Sequence, residues 1–133
     1  MEKVVIVGAG PAGISAALYV RRANLDPLVL DNGIGALEKA EKIENYYGLP
    51  EAVSGSVLYE NGLQQAERLG IRIKRTEVLE IGGFDTFEVR TSDGEIETVS
   101  LILATGSRRK APPIPGLKEY EGKGVSYCAV CDA

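Results

Sequence analysis

The chain of 133 residues contains two cysteines, and they stand together as Cys128-Ala129-Val130-Cys131 with Asp132 next to them. Thiols at this spacing can close a small ring and cycle between dithiol and disulfide. So short a ring restrains few residues, so its loop-entropy stabilisation is small and a purely structural bridge is disfavoured. The competing chemistry is half of a zinc site, which needs two further ligands. There is no histidine and no third cysteine, so those ligands would have to come from elsewhere, and no metal-ligand set is assigned. Asp132 has two readings: a proton source for a leaving thiolate, or a helix N-cap.

The second feature able to do chemistry lies at the other end. Gly8, Gly10 and Gly13 form a Gly-x-Gly-x-x-Gly run, Gly8-Ala9-Gly10-Pro11-Ala12-Gly13. Alone such a run can be a bland strand–turn–helix joint. Here it follows an apolar strand-like stretch and opens a helical one, the context in which it binds a dinucleotide. Gly8 permits the tight turn, Gly10 lets the backbone approach a pyrophosphate, and Gly13 lets the helix pack close to the strand. Free N–H groups of the first helical turn then face the phosphate. Asp31, at the end of the next apolar run, can accept hydrogen bonds from a ribose diol and would repel a 2′-phosphate. The loop should therefore prefer FAD or NAD over NADP. A capping role is the bland alternative for Asp31.

The elements that must position these groups can be read from periodicity. Val4–Val7 is a β-branched run suited to a strand buried on both faces. Ile14, Ala17, Leu18 and Arg21 recur at helical spacing, with Pro11 in the first turn. Leu28–Leu30 reads as a second strand, which completes a β-α-β unit with parallel neighbouring strands. Residues 33–52 read as a long irregular connection. Helical spacing resumes over Val53–Leu69, slightly broken at Gly62 and capped by Gly70. Ile71–Ile73, Thr76–Ile81, Phe84–Thr91 and Glu95–Leu103 then read as strands of an antiparallel meander, with turns at Gly82-Gly83 and Ser92–Gly94. Leu101–Ala104 returns to the parallel sheet. Pro112–Gly116 is a stiff linker. The expected fold class is α/β, a Rossmann-like parallel sheet with an inserted antiparallel β-meander. Residues 1–111 form the nucleotide-binding part, and residues 112–133 form a linker leading to the cysteine pair.

Composition narrows the function. A net charge of −4 and the absence of any basic run beyond Arg108–Lys110 argue against nucleic acid or an anionic membrane surface. The apolar run near Met1 is far too short for a signal or transmembrane helix. A cytoplasmic setting follows, where a thiol pair is more often catalytic, redox-sensing or metal-binding than structural.

Taken in order, four segments resemble the low-molecular-weight thioredoxin reductase family. Val5–Gly13 is similar to its FAD ADP-binding loop, and Ile43-Glu44-Asn45-Tyr46-Tyr47-Gly48 to its loop near the flavin. Ile102-Leu103-Ala104-Thr105-Gly106 is similar to its second FAD fingerprint, and Gly124–Asp132 to its redox-active segment. Glutathione reductase and lipoamide dehydrogenase relatives place a C-x-x-x-x-C soon after the first β-α-β unit, where this chain has no cysteine. The resemblance implies FAD as cofactor, held by Gly8, Gly10, Pro11, Ala12, Gly13, Asp31, Asn32, Asn45, Val78, Ala104, Thr105 and Gly106. It implies Cys131 beside the flavin, Cys128 as the thiol that attacks a protein disulfide, and Asp132 as acid–base. Thioredoxin or a similar dithiol protein is the implied partner, NAD(P)H or ferredoxin the donor, and a homodimer the state of the full-length parent. The family continues past the cysteine pair into a pyridine-nucleotide domain, so a fragment of a longer enzyme is expected. The alternative is a non-catalytic module that holds FAD or an ADP-like ligand with idle thiols.

Overall fold

The structure, a computed structural model, describes residues 1–33, 35–108 and 110–128. Among the described residues nine elements follow in order: β1 (Glu2–Val7), α1 (Pro11–Arg22), β2 (Pro27–Asp31), a 3₁₀ turn (Leu37–Lys39), α2 (Gly55–Arg68), β3 (Arg72–Arg75), β4 (Val78–Gly82), β5 (Phe87–Thr91) and β6 (Gly94–Leu103). They build one six-stranded sheet in the order β3-β2-β1-β6-β5-β4. β1 pairs parallel with β2 and with the second half of β6, and β2 pairs parallel with β3. β4, β5 and the first half of β6 run antiparallel. The expected Rossmann-like parallel sheet with its antiparallel meander is therefore present.

Pleating sends alternate side chains of β1 and β2 to opposite faces. Val4, Ile6 and Val29 pack with Ile14, Ala17, Ala66 and Ile71, so both helices cover one face. Val5, Val7, Leu28 and Leu30 pack on the other face against Val89, with Val78, Ile96 and Leu101 alongside. The meander is thus the second cover of the parallel sheet. This explains why Val4–Val7 is apolar without alternation.

Several boundaries differ from the sequence reading. Ile71–Ile73 was expected to open the meander, but β3 is the outermost parallel strand. The 14-residue α2 gives the chain room to return alongside β2 in the same direction. Val53 is held in a bridge with Ile43 rather than in the helix. Helix α2 starts at Gly55, where the Ser54 hydroxyl accepts a hydrogen bond from the Val57 N–H at 3.2 Å. Gly62 does not interrupt it. The strand expected from Phe84 begins at Phe87, because Gly83 turns at φ +107° with its α-carbon close to the Thr86 carbonyl. Among the described residues no helix is long and apolar enough to cross a membrane.

Candidate functional site

All four parallel strands end at one edge of the sheet, and the strand order reverses between β1 and β6. In open α/β sheets, ligands bind in the crevice outside the strand ends at such a switch point. Gly8 follows β1 and Ala104 follows β6. They meet there: the Ala104 N–H donates to the Val7 carbonyl at 2.8 Å, and the Gly8 N–H donates to the Leu30 carbonyl at 2.8 Å. Gly8 stands at φ +110°, and a β-carbon on it would lie 2.1 Å from the Ala104 carbonyl oxygen. A β-carbon on Gly13 would lie 1.8 Å from the Gly8 carbonyl oxygen. Both glycines are required by close packing of backbone on backbone.

Gly10 differs from both. A β-carbon there would meet nothing within 4 Å, so the space beside it is open. Gly10 is the N-cap of α1, no side chain caps the helix, and no acidic residue lies in its first turn. The Ile14 N–H closes the first turn on the Gly10 carbonyl at 3.0 Å. The N–H groups of Gly10, Ala12 and Gly13 fall among the orphan donors of a helix start, and Pro11 has none to lose. The result is a concave, locally positive cradle suited to an anion such as a pyrophosphate. The residues present fit the phosphates of a dinucleotide.

A shallow cavity of about 310 Å³ opens near the ends of β2 and β3, lined by Asn32, Arg75, Thr76, Glu77, Ser92 and Asp93. Asp31 sits behind it with its side chain only 8 % exposed. Its Oδ1 accepts from the Gly33 N–H at 2.8 Å. Its Oδ2 accepts from the Tyr59 hydroxyl at 2.8 Å and from Arg75 Nη1 at 2.7 Å. Three of its roughly four acceptor sites are thus filled by the protein itself. Desolvation, and then the hydrogen bond to Asp31, push the Tyr59 phenol up to about 12, so it remains a donor. The Asp31 charge, first among the causes, holds the Arg75 guanidinium above its ordinary value. Tyr59 and Arg75 are not signalled by sequence spacing. Helical periodicity says nothing about which strand end a Tyr59 hydroxyl will meet.

The remaining expected residues scatter around this edge. Thr105 and Gly106 are exposed just past β6, with Gly106 at φ +70°. Val78 begins β4 and packs against the meander-side core. Asn45 is exposed in the connection before α2, beside Tyr46 and Tyr47, which are 60 % and 100 % exposed. The two tyrosines therefore do not pack into the domain's core. Cys128 is half-buried and its sulfur is in a disulfide. The Ser126 hydroxyl accepts from the Cys128 N–H at 3.1 Å and lies 3.0 Å from its carbonyl. Cys131 and Asp132 lie outside the described residues. Among those described, no group of metal-ligating side chains occurs.

Comparison with known proteins agrees with this architecture. The family model for pyridine nucleotide-disulphide oxidoreductases matches residues 2–133. The thioredoxin reductase of Treponema pallidum (strain Nichols) is 44% identical over 97% of this chain and 43% of its own length. The structure of Lactococcus lactis thioredoxin reductase aligns at a TM-score of 0.81 with 39% identity, over 99% of this chain and 44% of that one. A ferredoxin-flavin thioredoxin reductase from Clostridium acetobutylicum aligns at 0.74 with 36% identity, over 98% and 46%. The chain thus spans less than half the length of each of these relatives. Its glycine cradle, its switch-point geometry and a family match over residues 2–133 assign it to the pyridine nucleotide-disulphide oxidoreductase family.

Proposed function

We infer that this chain is the FAD-holding, disulfide-bearing part of a thioredoxin-reductase-type oxidoreductase. The enzyme would take electrons from NAD(P)H or ferredoxin and deliver them to a protein disulfide such as that of thioredoxin. The observation that carries the reading is the open, uncapped start of α1 joined to the Ala104–Gly106 turn at the switch point. Pro11, Ala12 and Gly13 would frame the pyrophosphate. Asn32, Val78 and the cavity walls would flank the adenosine, and Asn45 and Thr105 would face the flavin side. Bound there, FAD supplies the two-electron relay between the donor and the cysteine pair.

The cysteines do the rest. With the pair reduced, the Cys128 thiolate attacks one sulfur of the partner's disulfide, forming a mixed disulfide and releasing one partner thiolate. Cys131 then attacks the Cys128 sulfur, releases the second partner thiolate and re-forms the ring. Two electrons leave the pair, and the partner's two sulfurs end as thiols. Asp132 is the group that supplies a proton to a departing thiolate. The whole protein would work as a homodimer in a cytoplasmic, thiol-reducing setting, with no nucleic-acid or membrane partner.

The test is a visible spectrum of the purified protein, followed by dithionite and then oxidised thioredoxin. A flavin spectrum whose reoxidation by thioredoxin is lost in Cys128→Ser supports the reading. Flavin reoxidised by thioredoxin equally fast in Cys128→Ser overturns the thiol route, and a colourless protein that retains zinc overturns the enzyme altogether.

A further inference from the structure

The chain reaches the cysteine pair through a braced loop. The Tyr120 carbonyl accepts from the Lys123 N–H at 2.8 Å and from the Val125 N–H at 3.1 Å, and the Gly122 N–H donates to the Val125 carbonyl at 3.0 Å. Gly122 and Gly124 make the reversal at φ +74° and +114°, a region that side chains disfavour. Ser126 leaves this loop with its hydroxyl reaching past Tyr127. It accepts from the Cys128 N–H at 3.1 Å and donates to the Cys128 carbonyl at 3.0 Å. One side chain thus engages both backbone polar groups of the residue whose sulfur is in the disulfide. A local side-chain turn of this kind selects one backbone arrangement over its competitors.

We propose that Ser126 is a positioning residue for the thiol–disulfide chemistry, its hydroxyl holding the Cys128 backbone in the ring-closed arrangement and so biasing the pair toward the disulfide. This rests on the reading above that Cys128 and Cys131 exchange with a protein disulfide. Closing the ring orders the backbone of Cys128, which costs conformational entropy. A backbone already held from the loop side loses less on closure. In the exchange, this favours the step in which Cys131 attacks the Cys128 sulfur and releases the partner thiolate. A loose Cys128 would let the mixed disulfide persist.

The experiment equilibrates the protein with reduced and oxidised glutathione and measures dithiol and intramolecular disulfide by thiol alkylation and mass spectrometry. It is run on the wild-type protein, Ser126→Ala and Ser126→Thr. One oxidised glutathione takes two electrons from the dithiol and leaves as two reduced glutathiones, so the populations give the equilibrium constant for ring closure. Ser126→Ala should lower that constant about threefold, the scale of a modest hydrogen bond at an exposed site, which is a midpoint potential about 14 mV less negative. Ser126→Thr, which keeps the hydroxyl, should stay at the wild-type value. A serine that only supported the loop would leave the potential unmoved. Equal constants in the wild-type protein and Ser126→Ala, or the same shift in the alanine and threonine variants, overturn the proposal while the exchange reading stands. A wild-type pair that forms no intramolecular disulfide at any glutathione ratio overturns the exchange reading and this proposal with it.

Discussion

The three glycines of the cradle look equivalent in sequence, and the structure separates them sharply enough to predict opposite phenotypes for two alanine variants. In Gly13→Ala the new β-carbon must retreat from 1.8 Å to at least 3.0 Å from the Gly8 carbonyl oxygen. Both partners are backbone, so α1 must slide away from β1. Overpacking of this kind costs about 1–3 kcal/mol, which for a chain of this size lowers the melting temperature by roughly 4–10 °C. Gly10→Ala adds a methyl to open space at φ −73° and ψ −174°, an ordinary extended conformation. Its folding cost is only that of a poorer N-cap, about 0.5–1 kcal/mol. The same methyl occupies the path of a pyrophosphate, so FAD affinity should fall by about tenfold or more. Thermal unfolding by circular dichroism and FAD titration by fluorescence quenching, run on both variants, separate the effects. Gly10→Ala binding FAD as the wild type does would refute the phosphate approach. Gly13→Ala melting with the wild type would refute the backbone contact.

Three further outcomes follow from the packing and the hydrogen bonds. Ser54→Ala removes the side-chain acceptor at the start of α2 and should cost about 1 kcal/mol in urea unfolding, with the m-value unchanged. Val89→Ala hollows the contact between meander and parallel sheet, where Val89 is fully buried. It should cost about 2–3 kcal/mol by the same measurement. Burial and then the hydrogen bond to Asp31 push the Tyr59 phenol up to about 12 from its ordinary value of 10.0. The folded state therefore holds its proton more tightly, and stability is intact below about pH 10 and falls as pH rises through the folded value. Tyr59→Phe should lack that component, so its alkaline unfolding curve should be flatter than the wild type's across the same window.

Local chemistry was legible where it depends on neighbours in the chain. Val4–Val7 had to be a doubly covered strand, Gly8–Gly13 a strand-to-helix turn, and Gly70 a helix stop at φ +70°. These are properties of short segments, set by backbone conformation and by the period of apolar residues. Direction was less legible. β3 reads as a meander strand because four residues with mild alternation carry no sign of whether the partner runs parallel. That is decided by α2 crossing the sheet and returning the chain beside β2.

The cradle's second half belongs to tertiary structure alone. Ala104 is a ninety-six-residue journey from Gly8, yet its carbonyl is what forbids a side chain there. Asp31 is legible as a candidate ribose ligand from its place after a strand. That its carboxylate also holds Tyr59 from a helix and Arg75 from another strand is not. A buried charge must be paired or solvated, and which donors do so depends on elements far apart in sequence. The sequence thus names the residues that can do chemistry, and packing decides which of them face the ligand.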